Sequence, residues 1–130
     1  MPFATTGGQA IHYTVQGEGP LVVLQHGFLG DATAWTATGI AQRLARRYRV
    51  ACVDSLGHGR SDKPADPARY HQAERAAHIV AVLDALREPT AHVIGYSMGG
   101  WMTVGVAKYF PERLASPRKP CWSTTSGPSP

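Results

Sequence analysis

No stretch of this 130-residue chain approaches the ~18 consecutive apolar residues of a membrane span, so an integral membrane protein is not expected. Cysteine is scarce: Cys52 lies in an apolar run and Cys121 in a polar one, and neither sits in a CxxC pair, so no disulfide framework or redox dithiol is implied. Met1 to Gly8 has neither a basic region nor an apolar one, which leaves a reducing cytoplasm as the expected location. There is little excess charge, with 13 Lys and Arg against 9 Asp and Glu. The one basic cluster, Arg43, Arg46, Arg47 and Arg49, falls where a helical pattern ends and complements the helix dipole; it is not the basic stripe with stacking aromatics that binds nucleic acid. No GxxxxGK[ST] loop or dinucleotide fingerprint occurs, and His71 and His78 lack the close pairing of helical metal ligands. No cofactor, metal, nucleic acid or membrane partner is expected.

What is present suits one soluble globular domain, since 43% of the residues are apolar and 17% charged. Gln9 to Gln16 alternates loosely, with Ile11, Tyr13 and Val15 on one parity, and is closed by Gly17-Glu18-Gly19-Pro20, which reads as an antiparallel arm. Leu21 to Leu24, Val50 to Val53 and His92 to Ile94 are continuous apolar runs of the kind that form strands buried on both faces. Helical patterns separate them: Ile40, Leu44 and Tyr48 recur at i+4, and Ala76, Ile79, Val80, Leu83 and Leu86 form an apolar stripe. A third helix is expected from near Ser97 through Trp101, Val104 and Ala107 towards Pro111, whose ring ends it. The fold class is α/β, a mostly parallel sheet with helices on both faces and an N-terminal antiparallel arm.

Gly95-Tyr96-Ser97-Met98-Gly99 fits G-x-S-x-G, in which a serine occupies a sharp turn from strand to helix and its neighbours must be small. The preceding apolar run and the following helical pattern supply that context. Ser97 then stands at a helix N-terminus, where unpaired N–H groups favour developing negative charge. His26-Gly27-Phe28 leaves the first buried strand at the same carboxyl-end rim, so the backbone N–H groups of Phe28 and Met98 can act together as an oxyanion hole. His26 itself is read as a structural loop histidine. Asp54 to Asp62 leaves the second buried strand, and Asp54, His58 and Asp62 are read as holding a tight, glycine-punctuated turn.

The motifs HGF, DSLGHGRSDKP and GYSMGG, in this order and separated by helical patterns, resemble the successive signatures of the α/β-hydrolase superfamily over residues 9 to 113. That resemblance implies an incomplete α/β-hydrolase sheet, Ser97 as nucleophile, and the amides of Phe28 and Met98 as oxyanion hole. Haloalkane dehalogenases and epoxide hydrolases are similar in the flanking loops but carry aspartate at the nucleophile position. The serine here points to ester, thioester or carbon–carbon-bond hydrolysis of a small acyl substrate.

In the superfamily, an acid and then a histidine follow the serine. In this chain Glu112 is the only carboxylate after Ser97, and all six histidines precede it. The expectation is a truncated serine hydrolase, inactive alone, made of a core over residues 1–113 and an irregular Pro- and Ser-rich tail over 114–130. An altered reading frame near Ala115 is the favoured explanation, beside a short natural product or a partial chain. The strand carrying Val93 and Ile94 would then have an uncovered edge, so self-association is expected. The alternative function is a non-catalytic interaction module on a truncated hydrolase scaffold.

Overall fold

The computed structural model describes residues 2–115; Met1 and the segment from Ser116 onward, with Cys121 and most of the expected tail, lie outside the described residues. Five strands form one sheet in the order β1-β2-β4-β3-β5. Phe3–Thr6 (β1) and Gln9–Gln16 (β2) make the antiparallel arm, joined through Gly7 and Gly8, both at positive φ as a two-residue hairpin turn demands. β2 then runs antiparallel to Arg49–Val53 (β4), which pairs in parallel with Leu21–Gln25 (β3), and β3 pairs in parallel with His92–Gly95 (β5). The expected α/β sheet with its antiparallel arm is therefore present.

The apolar runs are buried on both faces because successive side chains serve different cores. Leu21, Val23, Ala51 and Val53 face one cluster, with Ile79, Val82 and Leu83 of Gln72–Ala85 (α3) and Met102 and Val106 of Met98–Tyr109 (α4). Val22, Leu24, Val50 and Cys52 face the other, with Trp35 of Thr33–Ala37 (α1) and Ala41 of Ile40–Leu44 (α2). Helices thus cover both faces. On β2 the expected parity holds for Ile11 and Tyr13, but Val15 lies exposed near the strand end and His12, on the opposite parity, is buried. The Ile40 stripe also stops early: α2 ends at Leu44, and Tyr48 reaches the core from the turn that leads into β4. α4 ends before Pro111, as its ring requires.

β5 is the last strand of the sheet among the described residues, yet its outer side is not bare throughout. Ala91 N–H donates to Arg113 O at 3.0 Å and Ala115 N–H to Ala91 O at 2.9 Å, so Leu114 lies parallel beside Ala91 as the first rung of another pairing. Leu114 makes an isolated bridge, and Ala115 after it is a bend. Among the described residues no helix is long and apolar enough to cross a membrane.

Within α3, His78 is 2% exposed, and burial, with a smaller contribution from the neighbouring Arg75 cation, pushes its pKa from 6.5 down to about 4. The folded state keeps His78 neutral where the unfolded state binds a proton, so stability is full above pH 6.5 and drains away as pH falls towards 4. The loss should reach up to about 3 kcal/mol. Urea unfolding at pH 7 and pH 4.5 checks this: the wild-type midpoint should fall at the lower pH, and His78→Leu should flatten that dependence.

Candidate active site

β3, β4 and β5 are parallel, so the loops that follow them leave the same edge of the sheet. The turn after β5 carries Ser97 at φ 55° and ψ −113°, a left-handed backbone that a serine adopts only under constraint. The constraint is steric. A Cβ on Gly95 would stand 2.1 Å from Gly99 O, and one on Gly99 would stand 2.2 Å from Gln25 O and 2.8 Å from His26 O. Only glycines let the start of α4 fold back over β5 and rest on the end of β3. Tyr96 N–H donates to Gln25 O at 3.1 Å and fixes the approach.

Ser97 occupies the N-cap position of α4 and its carbonyl accepts from Gly100 N–H at 2.9 Å, but its hydroxyl makes no capping bond. The side chain is exposed and engaged by no other described residue. Met98 is the first residue of α4, and its side chain packs on the core below.

The loop after β3 lies against this turn: a Cβ on Gly27 would meet Tyr96 Cδ2 at 3.1 Å and Ser97 Cβ at 3.4 Å. Gly30 N–H donates to Gly27 O at 3.1 Å, closing a four-residue turn whose third member, Leu29, has φ 66°. Phe28 is the second member, and its side chain is 68% exposed. Among the described residues neither the Phe28 N–H nor the Met98 N–H has an acceptor. Phe28, Trp35, Ile40 and Tyr96 line a mostly apolar hollow of about 330 Å³ beside the turn.

The loop after β4 holds the Phe28 loop in place through three buried or half-buried side chains. Asp54 is buried; its Oδ1 accepts from Ala32 N–H at 2.7 Å, and its Oδ2 from Arg60 N–H at 3.1 Å and His12 Nδ1–H at 2.8 Å. His26 Nε2 accepts from Ser55 N–H at 3.0 Å while its Nδ1–H donates to Gly27 O at 2.7 Å, an arrangement that requires the neutral ring. Burial lowers its pKa, partly opposed by the Gly27 bond. His58 Nε2 accepts from Leu29 N–H at 3.2 Å, and Ser61 Oγ accepts from His12 N–H at 2.8 Å. Asp62 holds Ala10 N–H at 2.8 Å. The ring lone pairs of His26 and His58 are thus already committed, and neither is free to take a proton from Ser97. The His12 partner of Asp54, 42 residues away, carries no signal in the sequence. Among the described residues no three His, Cys, Asp or Glu side chains converge as metal ligands would.

A sequence profile of the alpha/beta hydrolase fold matches residues 20–116. The chain belongs to this family. Its solved relatives include Est816, an N-acyl homoserine lactone degrading enzyme, at 35% identity and TM-score 0.80 over 87% of this chain and 42% of that one. The enol-lactonase from Burkholderia xenovorans LB400 matches at 30% identity and TM-score 0.79, over 87% of this chain and 44% of that one. An epoxide hydrolase of Caballeronia sordidicola is 33% identical over 109 residues, 84% of this chain and 33% of that protein. The chain spans 41% of a Bacillus subtilis relative and 32% of a Mycobacterium bovis one, well under two-thirds of either.

The glycine contacts give a direct prediction. Gly99→Ala must push α4 away from Gln25 and His26, at a cost of about 1–3 kcal/mol or more. A guanidinium melt should show the loss, whereas Gly39→Ala, with open space around the added methyl but a positive φ, should cost only about 1 kcal/mol.

Proposed function

We propose that Ser97 is the nucleophile of an acyl-transferring hydrolase, acting on an ester, thioester or related acyl bond, and that the N–H groups of Phe28 and Met98 form its oxyanion hole. The observation that carries this reading is the backbone of Ser97, held at positive φ with its hydroxyl making no capping bond and hydrogen-bonded to no other described residue. A serine needed only to cap α4 would use its hydroxyl for that and would need no strained backbone.

In this mechanism Ser97 Oγ adds to the substrate carbonyl carbon as its proton passes to a histidine base. The former carbonyl oxygen takes the negative charge, and each of the two N–H donors contributes about 3 kcal/mol to holding it. The alcohol or thiol leaves with that proton, and water then releases the acid from the serine. The apolar hollow beside the turn suits a hydrocarbon portion of the substrate. Two of the similar solved structures are named for lactone chemistry, and a lactone is a cyclic ester. The serine at position 97 favours acyl chemistry over that of epoxide hydrolases, for which the family resemblance implies an aspartate there.

Base and acid are proposed to lie outside these 130 residues, because no histidine follows His92, only Glu112 follows Ser97 as a carboxylate, and the chain covers 42% of a matched enzyme. A fluorophosphonate probe should label a longer protein that joins this chain to its base and acid, and Ser97→Ala should abolish the label; persistence of the label would sink the assignment. The 130-residue chain alone should react slower by a factor on the order of 10³ or more.

A further inference from the structure

We propose that His58 is a positioning residue for the oxyanion hole: by accepting the Leu29 N–H it holds the strained turn that presents the Phe28 N–H to Ser97. The inference rests on the acyl-transfer reading above for its purpose, but the bond and its consequence are properties of this chain.

Leu29 is a β-carbon-bearing residue at φ 66°, a strained backbone that needs support from its surroundings. Its own side chain gives none, being 84% exposed. Support comes from two hydrogen bonds of the turn, Gly30 N–H to Gly27 O at 3.1 Å and Leu29 N–H to His58 Nε2 at 3.2 Å. The first closes the turn; the second is the one that ties it to the rest of the protein at the residue next to Phe28.

His58 is itself firmly set. Its backbone N–H donates to Ser55 O at 2.9 Å, and its carbonyl accepts from Ser61 N–H at 3.1 Å. The ring meets Phe28 edge-on with centroids 5.8 Å apart and lies 5.1 Å from the His26 ring. Nδ1 is 3.1 Å from Leu56 O, a carbonyl that only a protonated Nδ1 can satisfy, and this leaves Nε2 as the lone pair that Leu29 needs. One ring therefore fixes both the direction of the turn and the side chain of the residue whose amide is to bind the oxyanion. A general base would need that same lone pair, so His58 does not double as the catalytic histidine.

Nitrogen-15 NMR of the 130-residue chain tests this without turnover. In the wild type the neutral His58 ring should carry its proton on Nδ1; a proton on Nε2 would overturn the proposal outright. Replacing His58 by Phe keeps an aromatic ring but removes the acceptor, and should speed hydrogen exchange at Leu29 N–H by about tenfold while displacing the Phe28 amide resonance. His58→Gln offers a side-chain oxygen to the same N–H and should restore both. Unchanged Leu29 exchange and an unmoved Phe28 resonance in His58→Phe would contradict the proposal, and the wild-type tautomer decides it if that variant does not fold. A probe label insensitive to Ser97→Ala would instead defeat the functional reading and leave these signals as described.

Discussion

The contact on which the site depends is the one between the backbone of Gly99 and the carbonyls of Gln25 and His26, too close for any β-carbon to intervene. It sets the start of α4 directly on the end of β3, so the strand that carries the Phe28 loop and the helix that begins after Ser97 are fixed relative to each other. Gly95 does the same for the end of β5 and the first turn of α4. With both ends of the turn pinned, Ser97 has no room for an ordinary helical or extended backbone, and its positive φ follows.

A second layer of constraint is polar. Burying a carboxylate is costly unless its oxygens are satisfied, and Asp54 meets that requirement with two backbone N–H donors and the His12 ring. Each donor comes from a different part of the chain, so a single buried side chain links the antiparallel arm, the Phe28 loop and its own loop. The His26 bond to Ser55 and the His58 bond to Leu29 repeat the principle on either side. Three polar side chains hold the two loops in register, while buried Leu56 and Ala32 seat them on the two cores.

Much of this was legible in the sequence, for reasons that can be traced to particular residues. Strands β3, β4 and β5 were readable because strands covered on both faces must be apolar at every position, as Leu21 to Leu24 and Val50 to Val53 are. The Ser97 turn was readable because sterics demand glycine at 95 and 99. The short elements were not. β1 is four residues, held by pairing with β2 and not by any pattern of its own, although Gly7-Gly8 was an available hairpin signal. α1 is five residues with two threonines, poor helix formers, and it is held by burial of Trp35. Tyr48 continued the spacing of Ile40 and Leu44 yet lies beyond the helix, because the chain must turn there for Arg49 N–H to reach Pro20 O at 3.0 Å. The side-chain bonds that organise the loops, such as His12 with Asp54, join positions too far apart in the chain for any local spacing to reveal.

The central proposal is that Ser97 and the amides of Phe28 and Met98 form one preorganised site. Its most direct test is the crystal structure of a phosphonylated Ser97 in a protein that joins this chain to a base and an acid. A phosphoryl oxygen should lie within about 3 Å of both amide nitrogens, with the Ser97 backbone still at positive φ. An adduct whose oxygen points to solvent, or a Ser97 relaxed into the helical region, would contradict it.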